Sequence, residues 1–298
     1  MEFDLDGLVA VVTGAGNGLG RAEALALAGA GARLVLNDLP GDAVDAVAAE
    51  IRDDGGQAVV CAGDVADWAT GEALVAQAVD SFAQLDILVN NAGVLRDRMV
   101  FTMSAEEWDL VIRVHLRGHF VTTRHATAYW RARSKAAGSP VYARIVNTSS
   151  EAFLLGSAGQ PNYAAAKAGI VALTVATARG CAAYGVRANA ICPRARTEMT
   201  SELMGPAPQA GDDPLSPDRV APLVSYLASP AAHSVNGEVF VIHGDVAAVL
   251  DPPSVRAAFH TPDGGAWTPK ALHEALGKPS AKGFVCEDTL PLAESTFV

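Results

Sequence analysis

Short apolar runs alternate with longer stretches of helical period along the chain, which is the pattern of βαβ units feeding a parallel sheet. The runs of strand length are Leu8 to Thr13, Arg33 to Asp38, Ala58 to Ala62, Ile87 to Asn90, Arg144 to Thr148, Arg187 to Cys192 and Glu238 to His243. Between them, helical segments are predicted to begin near Leu19, Asp42, Thr70, Ala105, Asn162 and Ser216; the last opens with Ser216-Pro217, a cap followed by proline at the first helical position. The expected fold is therefore α/β: a Rossmann-type, doubly wound parallel sheet of about seven strands. It forms one domain over residues 1–245, with an extension over 246–298.

Two segments break this rhythm. Around Arg131 to Pro140 the chain is polar and ends in Gly138-Ser139-Pro140, which predicts a long helix end and a surface loop. From Thr197 to Pro217, Met, Gly, Pro and acidic residues follow no steady period; this suits a lid over a ligand or an ordinary surface loop. The extension retains Val246, Val249, Leu250, Phe259, Trp267, Leu272, Leu276, Phe284 and Val285. So many large apolar groups are expected to pack on the body or on a neighbouring subunit.

Composition narrows the function. Half of the 298 residues are apolar and 18% are charged, enough for a buried core and too little charge for disorder. A net charge of −11 opposes broad binding to nucleic acid or an anionic membrane surface. Cys61, Cys181, Cys192 and Cys286 form no C-x-x-C pair and are expected to be reduced thiols. The acidic start Met1-Glu2-Phe3-Asp4 lacks the order of a signal peptide, and no apolar run is long enough to span a membrane, so a cytoplasmic location is expected.

Directly after the first predicted strand comes Thr13-Gly14-Ala15-Gly16-Asn17-Gly18-Leu19-Gly20-Arg21, leading into an alanine-rich helix. Between a strand and a helix, such a glycine turn lets a pyrophosphate approach the backbone N–H groups at the helix start. The second strand ends at Asp38, near the spacing at which a carboxylate holds the adenosine ribose. That carboxylate would repel a 2′-phosphate, and Ala15, Asn17 and Leu39 offer no cation to offset it, so NAD is favoured over NADP. Asp64 could accept from the adenine amino group or merely turn the chain.

Thr13 to Gly20, the run Asn90-Asn91-Ala92-Gly93, and Tyr163 with Lys167 and Ser150 together resemble the short-chain dehydrogenase/reductase family over about Asp6 to Gly244. More narrowly, Val35 to Asp38, Asn90 to Arg98 and Arg113 to Gly118 are similar to the (3R)-hydroxyacyl-CoA dehydrogenase part of peroxisomal multifunctional enzymes and its bacterial relatives. The resemblance implies NAD-linked alcohol oxidation by a homodimer or homotetramer. It places the cofactor on Gly14, Asn17, Gly18, Leu19, Gly20, Asp38, Asp64, Val65, Asn90, Ala92, Gly93, Tyr163, Lys167, Pro193 and Thr197.

Tyr163 and Lys167 would share one helix face, so that an ammonium beside the phenol and a positive nicotinamide favour phenolate, the base that removes the alcohol proton. Ser150, rather than neighbouring Ser149, would donate to the substrate oxygen. His115 stands where most of the family has an asparagine that holds a relay water. A neutral imidazole can relay a proton, or it can be a satisfied buried histidine. Pro193-Arg194 replaces the frequent Pro-Gly. Arg96, Arg98, Arg194 and Arg196 are either a rim for CoA phosphates or solvated surface charges. The small residues of the helix after Asn162 suit a subunit contact or internal packing. The expected substrate is a 3-hydroxyacyl-CoA, possibly sterol-derived. The alternatives are a hydroxysteroid dehydrogenase, a 3-oxoacyl-thioester reductase, or a dinucleotide-binding sensor without turnover.

Overall fold

All five residues of β1 (Val9–Thr13) are buried, as a strand covered on both faces requires. In the computed structural model, which describes residues 3–255, 257–261 and 264–277, β1 lies inside an eight-stranded sheet. The other strands are β2 (Arg33–Asn37), β3 (Ala58–Val60), β4 (Ile87–Asn90), β5 (Ala143–Thr148), β6 (Val186–Pro193), β7 (Val239–His243) and β8 (Val246–Val249). Their order is β3-β2-β1-β4-β5-β6-β7-β8, and every pair is parallel except β7 with β8.

The eighth strand extends the expected sheet. The boundary drawn at residue 245 falls in the turn joining β7 to β8, so the first residues of the extension complete the sheet edge. Four small or β-branched residues after Gly244-Asp245 look like tail in one dimension; only the facing strand makes them a hairpin.

Side-chain alternation divides the core into two layers. On one face, Val12, Val89, Val146 and Ile191 pack against α1 (Gly18–Gly29), α2 (Asp42–Asp53) and α9 (Ala221–Ala228). On the other, Val11, Leu88, Ile145 and Ala188 meet α3 (Trp68–Phe82), α5 (Gly118–Ala137) and α7 (Pro161–Cys181). Trp130, wholly buried in α5, donates its indole N–H to Leu85 at 2.7 Å, which satisfies the one polar atom of a large core side chain.

The helix predicted from Ala105 begins as α4 (Ala105–Ile112), with Ser104 and Glu107 forming a reciprocal capping box. It continues through one π-helical stretch, Arg113–Arg117, into α5. Such a widened turn is a device that re-aims side chains, and His115 sits in it. Ser216-Pro217 does open a turn, a short 3₁₀ segment at Pro217–Arg219, before α9. The segment from Thr197 holds a further short helix, α8 (Ser201–Met204). Beyond β8, α10 (Pro269–Leu276) has no buried residue. Phe284, Val285 and Cys286 lie outside the described residues; Cys61, Cys181 and Cys192 are free thiols. Among the described residues, no helix is long and apolar enough to cross a membrane.

Candidate active site

The order of the sheet reverses between β1 and β4, and parallel strands splay at their C-terminal ends, so a crevice must open there. A cleft of about 540 Å³ does, running from Asp38 and Leu39 past the glycine turn to His115, Tyr163 and Lys167. Of the residues assigned to the cofactor from the sequence, Gly14, Asn17, Gly18, Leu19, Asp38, Asp64, Val65, Ala92, Gly93, Tyr163, Lys167, Pro193 and Thr197 line it.

Two assigned residues do not. A Cβ on Gly20 would fall 2.1 Å from the Gly14 carbonyl oxygen, so this glycine serves the packing of helix on turn. Asn90 is a correction: its buried amide donates to Asn147 at 2.9 Å and Thr123 at 3.2 Å and accepts from Thr122 at 2.6 Å, bracing β4 against β5 and α5. Its neighbour Asn91 lines the cleft instead and donates to the carbonyls of Thr13 and Gly14, each at 3.2 Å. Strand alternation assigns these roles, since consecutive side chains point apart.

The turn fits a dinucleotide. Gly14 has φ +63°, and a Cβ there would lie 2.8 Å from Ala92 Cα, so the backbone is bare where a pyrophosphate would approach. Asp38 accepts from the N–H of Gly16 at 2.9 Å and of Leu39 at 2.8 Å, which fixes its carboxylate beside the glycine turn. Asp64 is more engaged than expected: it accepts from Ala66 N–H at 2.8 Å and pairs with Arg113 at 2.5 Å. Burial raises its pKa, but these donors outweigh it and hold the carboxyl below its ordinary value.

At the other end, Asn162 is fully buried, donates to the carbonyls of Arg96 (3.0 Å) and Glu107 (3.2 Å), and accepts from Tyr163 N–H at 2.7 Å. It seats the first turn of α7 and thereby the phenol. Sequence reading passed over it because an asparagine at a helix start reads as a cap. Lys167 Nζ lies 5.2 Å from the centre of the Tyr163 ring and donates to Thr148 O at 2.6 Å. Ser149 lines the cleft, but its hydroxyl donates to Lys167 O at 2.9 Å. Ser150 is not among the lining residues; its Oγ accepts from Ala152 N–H at 3.2 Å, which leaves its own proton to donate, and it lowers the pKa of the neighbouring phenol.

The electrostatics differ from the expected ionised phenol. Burial pushes Tyr163 up to about 12; the Ser150 bond lowers it, and Cys192 and Asp97 raise it. Burial also brings Lys167 down to about 7, against the raising influence of Cys192 and Glu23. Desolvation thus dominates both groups, and the protein alone holds the phenol protonated.

The imidazole of His115 is 1% exposed and meets the Tyr163 ring edge-to-face at 5.2 Å. Its Nε2 lies 3.0 Å from Val94 N and 2.9 Å from Val94 O, while Nδ1 has no hydrogen-bond partner. Burial, then the Lys167 charge, hold its pKa well below the ordinary value despite the Val94 bond, so the ring is neutral.

The arginine rim contracts to one member. Arg194 and Arg196 are spent on Glu151 and Asp213, and exposed Arg98 pairs with Glu107 at 3.2 Å. Among these four, Arg96 alone lines the cleft. Arg196 also donates to the carbonyls of Met204 and Gly205, tying down the segment that read as a lid or an ordinary surface loop; Met199 and Met204 line the wall. An aperiodic segment hides such residues, because a neighbour fixes them rather than a period.

Comparison with known proteins agrees with this geometry. Residues 8–205 match the short chain dehydrogenase family. The chain is 55% identical to the hydroxyacyl-CoA dehydrogenase ChsB1 of Mycobacterium tuberculosis over 92% of this chain and 88% of that one. It is 42% identical to the mouse peroxisomal multifunctional enzyme type 2 over 80% of its length, which is 32% of that larger enzyme. A solved short chain dehydrogenase from Mycobacterium avium superimposes with a TM-score of 0.82 at 45% identity, covering 91% of this chain and 93% of that one. With a cleft shaped for a nicotinamide dinucleotide, the chain belongs to the short-chain dehydrogenase family, oxidoreductases acting on CH–OH groups.

Proposed function

We propose that the protein oxidises the secondary alcohol of a 3-hydroxyacyl-CoA, with bulky sterol-derived acyl parts within its range, using NAD. The observation that carries the reading is Lys167 beside the Tyr163 ring at one end of a cleft whose other end is Asp38, with Ser150 close enough to lower the phenol's pKa. The dinucleotide supplies the hydride acceptor and, when oxidised, a positive charge. Ser150 orients the substrate hydroxyl, and the Tyr163 phenolate removes its proton as the carbinol carbon gives up hydride, leaving a ketone. Lys167 and the cationic ring together offset the burial that raises Tyr163. His115 holds the Val94 backbone through Nε2, and its Nδ1, without a hydrogen-bond partner among the described residues, is a position for a proton relay.

NAD is favoured over NADP by the Asp38 carboxylate, with Arg96 and Lys167 the cations of the lining, both far along the chain from the adenosine end. The acyl-CoA assignment draws on the names of the two relatives, and the apolar wall of Val94, Leu110, Met199 and Met204 suits an acyl chain. A homo-oligomer in the cytoplasm is part of the same reading: Val255, Phe259 and Leu276 of the extension stay exposed in the single chain. The test is NADH formation with 3-hydroxyacyl-CoAs beside free steroid alcohols. Turnover of the thioesters is expected; turnover of the free steroid with none of the thioesters would overturn the substrate. Turnover of neither, in protein that binds NAD, would leave a sensor.

A further inference from the structure

Backbone pairing between β5 and β6 ends at Thr148 and Ile191, with one more bond from Ser149 N–H to Ile191 O at 2.7 Å. Past that point the strands part around the cleft, and the chain carries Ser150 on one side and Pro193 on the other. The next residue on each side is charged. Arg194 Nε donates to Glu151 Oε2 at 2.6 Å and Nη2 to Oε1 at 2.8 Å, a bidentate fork between side chains only 14% and 13% exposed.

Each end of the fork is anchored. Arg194 N–H donates to Ile242 O on β7 at 3.0 Å, so the guanidinium springs from a fixed backbone. Glu151 precedes α6 (Ala152–Leu155), and its carbonyl accepts from Leu154 and Leu155 N–H at 2.8 and 3.0 Å, while Ser150 Oγ accepts from Ala152 N–H at 3.2 Å. Pulling on the Glu151 carboxylate therefore moves Ser150 and α6 as a unit. The Pro-Gly that is frequent in the family could not do this, because glycine has no side chain to reach across.

We propose that Arg194 and Glu151 are a positioning pair that fixes the separation of the Ser150 turn from the Pro193 turn, and so sets the geometry of hydride transfer rather than the affinity for dinucleotide. The inference rests on the hydride-transfer reading above. Displacement of a reacting group by about 1 Å costs on the order of a hundredfold in rate. A bidentate fork fixes both distance and angle, which a neutral amide matches only with weaker bonds, and lysine cannot reproduce its planar grip.

The test uses the full chain bearing R194K, E151Q or the exchange E151R/R194E, with R194E alone for reference. E151Q preserves the volume of the side chain, so it keeps the question open if the reversals fold poorly. In R194K and E151Q, kcat for NADH formation is expected to fall ten- to a hundredfold, with the Kd for NADH, read by its fluorescence, within threefold of wild type. The exchange is expected to regain at least tenfold over R194E. Without any ligand, amide hydrogen exchange over residues 150–155 should quicken about tenfold while β5 stays protected.

A kcat within twofold of wild type in either conservative variant would overturn the proposal. Equal loss of NADH affinity and rate, or unchanged exchange over 150–155, would do the same. Wild-type protein that turns over no alcohol would refute the hydride-transfer reading, whereas the exchange measurement still decides whether the pair holds the turn.

Discussion

Lys167 Nζ sits 5.2 Å from the centre of the Tyr163 ring and spends a 2.6 Å hydrogen bond on the Thr148 carbonyl. Burial leaves the phenol near 12 and the ammonium near 7, so the protein alone presents a proton donor at the place where alcohol oxidation needs an acceptor. The kcat/KM for oxidation should therefore rise from pH 6 as the phenolate fraction grows, and the rise should flatten above about pH 7, where Lys167 loses the charge that favours phenolate. Tyr163→Phe should lower kcat at least a thousandfold while leaving NADH binding within a few-fold. A flat pH profile in the wild type, or an active phenylalanine variant, would remove Tyr163 from the role of base.

Asp38 anchors the opposite end of the cleft, with its carboxylate on the Gly16 and Leu39 N–H groups. Replacing it with alanine removes the repulsion toward a 2′-phosphate and loosens the turn. Asp38→Ala combined with Leu39→Arg should move the NADP-to-NAD ratio of kcat/KM by more than tenfold, mostly through loss of NAD activity. An unchanged ratio would mean that Asp38 only shapes the turn.

What could be read in one dimension was whatever local period or backbone chemistry dictates. The β1 run, the glycine turn and the Tyr163–Lys167 spacing each express a constraint within a few residues, and all three stand where expected. Asn90 and Asn91 were not separable without a strand phase, since each has the same chemistry and only alternation sends one into the core. The arginines stayed open for a related reason. Their charge is visible in sequence, but whether Arg194 and Arg196 face a ligand depends on Glu151 and Asp213, distant in the chain. The β8 edge likewise exists only because β7 lies beside it.

His115 illustrates one ring nitrogen serving two backbone groups. Nε2 faces both the N–H and the carbonyl of Val94, and a single nitrogen can satisfy one at a time, whereas an amide can donate and accept together. His115→Asn should therefore keep activity within about tenfold. His115→Ala, which abandons Val94 and opens a void beside Gly93, should cost about 2 kcal/mol in stability and at least tenfold in kcat. If the alanine variant matched wild-type kcat, the imidazole would be packing alone.

Glu23 on α1 has no exposed surface and, among the described residues, no hydrogen-bond partner for either carboxylate oxygen. Burial raises its pKa from 4.5 to about 8, partly offset by the Lys167 charge. Between those values the folded protein binds a proton that the unfolded chain releases. The contribution is thus fully present below pH 4.5 and is lost as pH rises toward 8, at about 1 kcal/mol per pH unit. Glutamine keeps the shape and carries no proton to lose. Glu23→Gln should accordingly gain on the wild type as the solution becomes more alkaline, by about 3 kcal/mol between pH 5 and pH 8, or about 6–12 °C in the difference of Tm values. Thermal unfolding of both proteins across that interval decides it, and a Tm difference that stays constant would mean that the carboxyl is ionised and compensated in the fold.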